Sequence, residues 1–226
     1  MKATGLDRSA LATELENGVI ALGLDMGQEG LDQLLDYTAL LVKWNSVYNL
    51  TAVREPKRMI TQHLLDSLAA VPAIAPATRL LDVGSGGGLP GIVFAIWAMR
   101  AAPAMRITMV DTVQKKTAFL TQAKAQLGLT NVSVVCTRVE QMEAEAKFDV
   151  IVSRAFAELR QFVNWSAHLL GEGGRFIAMK GVLPTAEIAA LPPGWAATTV
   201  QKLVVPGLDA ERHLITIERT AAGATP

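Results

Sequence analysis

The stretch Leu80-Leu81-Asp82-Val83-Gly84-Ser85-Gly86-Gly87-Gly88-Leu89-Pro90-Gly91 constrains this chain more than any other. A short apolar run enters a glycine-dense turn and leaves it through Pro90, a residue suited to the first turn of a helix. Glycine lets a ligand come close to the main chain, because no Cβ stands in the way. In an open α/β sheet such a loop follows the first strand, beside the switch point where nucleotides bind.

The rest of the chain agrees with that placement. From Arg79 onward, short apolar runs (RLLDVG, ITMVD, VSVVC, DVIVS, RFIAMKG) alternate with helix-like stretches at about 90–100, 113–127 and 156–170. Such alternation implies right-handed crossovers and a parallel sheet covered on both faces. The last two strands, 195–205 and 213–219, are joined by PGLDAE, too short for a crossover, so they are predicted to pair antiparallel at the sheet edge.

Before Arg79 the pattern is helical. Apolar residues recur at three- and four-residue steps over 8–24 and 29–48, notably Leu31, Leu34, Leu35, Tyr37, Leu40, Leu41 and Trp44. Asp7 is placed to cap the first helix, and Gly23, Gly27 and Gly30 mark the connection. A third helix over 59–70 is expected to end near Val71-Pro72, with Pro72 and Pro76 marking the change of architecture. The expected division is a helical extension over 1–75, an α/β domain over 76–220 and a loose tail over 221–226.

Composition narrows the class. Half the residues are hydrophobic and the formal net charge is zero, which suits a protein with a full core and argues against one that coats nucleic acid indiscriminately. The first fifty residues nevertheless carry seven acids against three bases, and Arg54, Lys57 and Arg58 cluster just beyond. That cluster suits either an RNA contact or a solvated helix start. The N-terminus lacks the apolar stretch of a signal peptide, and no apolar run approaches the roughly 20 residues that span a bilayer, so a cytoplasmic protein without a membrane partner is expected. The single cysteine, Cys136, excludes an intrachain disulfide and reads as a small buried strand residue; ligands for a structural zinc cluster are lacking, and no metal is expected.

Two ligands fit the glycine loop. Gly86, Gly88 and Gly91 satisfy the GxGxxG dinucleotide pattern, with Asp111 twenty residues on. S-adenosylmethionine lacks a diphosphate and carries an ammonium and a sulfonium, and Asp82 suits the neighbourhood of such a cation. Asp111 can accept ribose hydroxyls from either ligand or cap the helix starting near Val113, and Asp82 can equally cap loop amides. After the third strand Arg138-Val139-Glu140 offers a backbone amide and an acid for an adenine edge. Before the fifth strand, Gly171-Glu172-Gly173-Gly174 makes a tight turn of a kind methyltransferases share. The ordered set favours a methyltransferase over an NAD-dependent oxidoreductase. Met99, Met105 and Met109 read as core filling.

The chain also resembles a specific family, the RsmG (GidB) bacterial 16S ribosomal RNA guanine-N7 methyltransferases. The resemblance rests on Trp44 to Thr51 (WNSVYNLT), His63 to Leu68 (HLLDSL), the Asp82–Gly91 loop, Ser153-Arg154-Ala155-Phe156-Ala157 and Met179-Lys180-Gly181. It implies a Rossmann-like class I S-adenosylmethionine-dependent fold with a mostly parallel sheet and an antiparallel C-terminal edge hairpin. It further implies methyl transfer to N7 of a guanine in the 530-loop region of 16S rRNA, on naked RNA or a small-subunit precursor. The chain itself is read as a monomer. Carried onto matching positions, the family's cofactor contacts fall on Gly84, Leu89, Val139, Glu140 and Arg154; the residues' own chemistry adds Gly86, Gly88 and Asp111. Gly87 departs from the family, where alanine or proline is frequent, and is expected to loosen the loop.

The chemistry fits that assignment independently. Methylation of an exocyclic amine commonly uses an Asn/Asp-Pro-Pro-aromatic motif after the fourth strand, where this chain has Ser153-Arg154-Ala155-Phe156. Guanine N7 carries a lone pair and no proton, so positioning should dominate and no catalytic acid or base is assigned. Arg154 and Phe156 are expected to line the cofactor and base pocket, by stacking or by holding a phosphate, although Phe156 equally suits core packing. His63 and Ser67, one helical turn apart, are placed at the mouth of the site, where His63 reads as a structural hydrogen-bonding group. The alternatives are a methyltransferase of another substrate, or a non-catalytic RNA-binding assembly factor that keeps the fold.

Overall fold

In the computed structural model, which describes residues 7–220, the alternating runs become one seven-stranded sheet in the order β3-β2-β1-β4-β5-β7-β6. The strands are β1 (Arg79–Val83), β2 (Arg106–Asp111), β3 (Val132–Cys136), β4 (Phe148–Arg154), β5 (Leu170–Lys180), β6 (Trp195–Lys202) and β7 (His213–Arg219). The first five are parallel, and β7 inserts antiparallel between β5 and β6, as the short last connection requires. β1 is buried from Leu80 to Val83, which is why it reads as an unbroken apolar run. The order reverses at β1, with β2 on one side and β4 on the other, and the cleft opens at that reversal.

The helices between strands are α6 (Gly91–Ala101), α7 (Gln114–Gln126), α8 (Leu159–Ser166) and the short α9 (Thr185–Ala189). Before β1 come α1 (Arg8–Ala21), α2 (Gly27–Tyr48), α3 (Pro56–Met59), a π-helical turn Ile60–Leu65, α4 (Asp66–Leu68) and α5 (Val71–Ile74). The Asp7 side chain caps α1 by accepting from the Ala10 N–H at 3.1 Å. α2 buries Leu34, Leu35, Tyr37 and Leu41 in the same apolar cluster as Ile92, Val93 and Phe94 of α6, so these helices and the sheet share one core. That explains why α6 is apolar all round, with every residue from Gly91 to Ala98 buried.

Several local expectations need correction. The helical stretch ends at Leu68 as expected, but Val71-Pro72 then opens a further short helix, because Pro72 occupies the first turn, where a missing N–H costs nothing. Gly30 lies inside α2, past the connection. The 171–174 turn is built into β5 as a bulge: Phe148 pairs with Leu170, and two residues later Val150 pairs with Arg175. A Cβ on Gly174 would stand 3.0 Å from the Asp149 carbonyl oxygen, so this close approach requires glycine. Cys136 is exposed, not buried, because it ends β3 at the sheet edge. Met105 and Met109 fill core, whereas Met99 near the end of α6 is 37% exposed. The 221–226 tail lies outside the described residues. Among the described residues no helix is long and apolar enough to cross a membrane, and no cluster of three metal-ligating side chains occurs.

Candidate active site

Two adjoining cavities open over the glycine loop. The smaller, about 350 Å³, is walled by Gly84, Asp111, Val139, Glu140, Phe156 and Trp165, among others. The larger, about 570 Å³, runs beside it from Leu50–Val53 to Arg212 and includes Gly84, Gly86, Leu89 and Arg154. Gly84, Lys116 and Ala155 line both.

The loop is shaped by its glycines and pinned by hydrogen bonds. Gly84, Gly86 and Gly88 have φ of +71°, +56° and +88°, a region that side chains disfavour. A Cβ on Gly84 would meet Phe156 Cδ2 at 2.5 Å, so this glycine also makes room for the aromatic wall. Gly88 points elsewhere: its Cβ would meet Ile92 and Leu120, and neither cavity lining includes it. It packs closely between the loop, α6 and α7. Ala155, just past β4, adopts φ +54° without being glycine, a local strain of the sort that collects at functional sites.

Both acids named from the sequence act as caps. One Asp111 oxygen accepts from the Val113 N–H at 2.9 Å and the other from the Gly86 N–H at 2.9 Å, with Lys116 Nζ 3.7 Å away. A carboxylate has about four lone-pair sites, so capping leaves Asp111 able to accept further hydroxyls. Asp82 is wholly buried and accepts from the Gly91 N–H at 3.0 Å, holding the start of α6 against the strand. It lines neither cavity, and burial pushes its carboxyl up to about 7.

Arg154 faces the larger cavity and leaves the smaller one to Phe156. It donates to Asp66 at 3.1 Å and to the Gln62 carbonyl at 3.0 Å, while Arg212 donates to the other Asp66 oxygen at 2.8 Å. Lys180 joins the same wall, held by Glu187 at 2.8 Å and the Ala157 carbonyl at 3.0 Å. The lining thus includes Lys116, Arg154, Lys180 and Arg212, of which the two arginines share one buried carboxylate, Asp66. Phe156 stacks edge-on against Phe162 and Trp165 and also lines the smaller cavity.

His63 is committed to structure. Its Nδ1–H donates to the Gln62 carbonyl at 2.9 Å, which leaves Nε2 to accept from the Thr51 hydroxyl at 2.7 Å. Burial and the nearby Arg154 lower its pKa to about 4. Ser67 is fully buried, donates to the His63 carbonyl and does not line the cavity; Asp66 does instead. The π-helical turn at Ile60–Leu65 changes which residues share a face, and an α-helical count misplaces them. Arg54, Lys57 and Arg58 are exposed, and the segments on either side of them, Leu50–Val53 and Gln62–Asp66, contribute to the larger cavity.

Sequence reasoning missed Asp66 and Arg212 as cavity residues, Lys116 as a charged residue lining both cavities, and Tyr37, whose hydroxyl reaches the glycine loop. Lys116 alone carried a local signal, since it sits in the first turn after Asp111.

Comparison with known proteins adds family evidence. Residues 30–215 match the family model GidB, rRNA small subunit methyltransferase G. The chain is 64% identical over 219 residues to the ribosomal RNA small subunit methyltransferase G of Herminiimonas arsenicoxydans, covering 97% of this chain and 100% of that protein. It is 62% identical over 220 residues to the protein of that name from Janthinobacterium sp. (strain Marseille), covering 97% and 99%. Among solved structures, an O-methyltransferase from Bacillus cereus in complex with SAH superposes with a TM-score of 0.56 at 18% identity, over 82% of this chain and 91% of that one. The N-methyltransferase NodS from Bradyrhizobium japonicum WM9, in complex with S-adenosyl-L-homocysteine, gives 0.55 at 14% identity, over 79% and 98%. At these identities the structural matches speak to the fold alone.

Proposed function

This chain belongs to the rRNA small subunit methyltransferase G family, and from that premise we propose that it transfers a methyl group from S-adenosylmethionine to N7 of a guanine in the 530-loop region of bacterial 16S rRNA. The observation that carries the N7 assignment is that both groups on the larger cavity's wall able to take a proton are already engaged. His63 Nε2 accepts from Thr51, and Asp66 is shared by Arg154 and Arg212. A ring nitrogen with a free lone pair needs neither of them.

The residues fit the cofactor. Gly84 offers an open backbone at the junction of the cavities, Asp111 keeps acceptor capacity at the end of β2, and Val139, Glu140 and Phe156 frame a slot for an adenine. When bound there, S-adenosylmethionine supplies an electrophilic methyl group on a sulfonium. We assign cofactor binding to Gly84, Gly86, Leu89, Asp111, Val139 and Glu140. Gly88 supports the loop from behind, and Arg154 serves the boundary with the substrate. Lys180, Arg154 and Arg212 attract the RNA backbone, and Phe156 closes the wall between cofactor and base.

In this reading residues 1–75 form a helical extension that walls the substrate side, and 76–220 form the methyltransferase domain. The protein acts as a cytoplasmic monomer on 16S rRNA or a small-subunit precursor. Mapping 7-methylguanosine in 16S rRNA from cells with and without the gene tests it: one 530-loop guanine should lose its methyl group. An unchanged map would sink the assignment.

A further inference from the structure

The cofactor loop is held from outside the methyltransferase domain. The Tyr37 hydroxyl, on α2 of the helical extension, donates to the Gly87 carbonyl oxygen at 2.6 Å, and the tyrosine is fully buried. The next N–H along, that of Gly88, donates to the Ser85 carbonyl at 2.7 Å. The Gly87–Gly88 peptide is therefore fixed at both its oxygen and its nitrogen. One residue earlier, the Gly86 N–H is held by Asp111 at 2.9 Å. Contact is close as well: a Cβ on Gly87 would lie 3.2 Å from Leu41 Cδ1 of the same helix.

A run of glycines loses much conformational freedom when it is ordered, and a ligand that must order it binds more weakly. We propose that Tyr37 is a positioning residue for the cofactor: its hydroxyl pre-orders the Gly86–Gly88 segment, so that α2 acts as part of the S-adenosylmethionine site without touching the ligand. Burial also raises the phenol's pKa, which keeps it a neutral donor at any working pH. This role rests on the cofactor assignment above.

The test compares Y37F with T38V. Thr38 is the next residue, equally buried, and its hydroxyl donates to Leu34 within α2 at 3.0 Å, so T38V removes a buried hydroxyl from the same helix without touching the loop. Calorimetric titration with S-adenosylhomocysteine should show Kd raised about tenfold in Y37F and unchanged in T38V, since an orphaned buried carbonyl loosens the loop. The KM for S-adenosylmethionine should rise with it, while KM for RNA stays the same. A Y37F Kd within twofold of wild type, or an equal loss in T38V, overturns the proposal. Failure of the wild-type protein to bind S-adenosylhomocysteine would instead strike the cofactor assignment.

Should Y37F fold poorly, 3-fluorotyrosine labelling keeps the question open to measurement. The chain has two tyrosines, and Y48F assigns their signals. The Tyr37 fluorine should give one sharp resonance before any ligand is added, and a split or exchange-broadened signal that sharpens only as S-adenosylhomocysteine saturates the protein counts against the role.

Discussion

Arg154 donates to Asp66 at 3.1 Å across 88 residues of sequence, tying the end of β4 to the turn that follows the π-helical segment. Because Asp66 is 3% exposed in its side chain and also holds Arg212, removing it leaves two guanidiniums facing each other without a counter-charge. Asp66→Ala is expected to lower stability by on the order of 3 kcal/mol, as for a broken buried ion pair. It should also raise KM for RNA more than KM for the cofactor. Denaturant melts and steady-state kinetics would check both.

Gly84→Asp should abolish cofactor binding. Its φ of +71° disfavours any side chain, and a Cβ there would already press on Phe156 at 2.5 Å. Titration with S-adenosylhomocysteine should give no heat while circular dichroism keeps its α/β signature.

Replacing Arg54, Lys57 and Arg58 together with alanine is expected to weaken RNA binding and leave cofactor affinity unchanged. All three are exposed beside segments that line the larger cavity. The slope of log K against log salt should become shallower by about two. An unaltered slope would place this patch away from the RNA.

His63 makes stability depend on pH in a defined direction. Its ordinary pKa of 6.5 falls to about 4 in the fold, through burial first and Arg154 second. Between those values the unfolded chain binds the extra proton, so the contribution is complete above 6.5 and is lost as pH falls toward 4. Asp82 acts in the opposite sense, since its pKa rises from 3.8 to about 7 and its contribution declines as pH climbs through that range. His63→Gln should remove the acid-side loss alone, about 3 kcal/mol at most between pH 7 and 4, measured as the wild-type minus variant difference in denaturant midpoint.

Much of the fold could be read in the sequence, because central parallel strands are buried on both faces and appear as continuous apolar runs. The loop and the cavity-lining residues at the ends of β2 and β3 could be read for a related reason: in such sheets the cleft opens where strands end, so Asp111, Val139 and Glu140 declare themselves as lining by position. Tyr37, Asp66 and Arg212 gave no local sign. Arg212 meets Asp66 across 146 residues, and Tyr37 meets Gly87 across 50, distances over which no periodicity reports. Edges misled for a different reason. The largely apolar run VSVVC makes Cys136 look buried, yet edge strand β3 leaves it open to solvent.

The insertion of β7 between β5 and β6 bears on how changes within β7 should behave. A break in this one strand would unzip the edge of β5, leave β6 without its ladder partner and shift the adjoining Arg212 away from Asp66 in one stroke. Proline substitutions inside β7 should therefore score as null alleles, not mild ones.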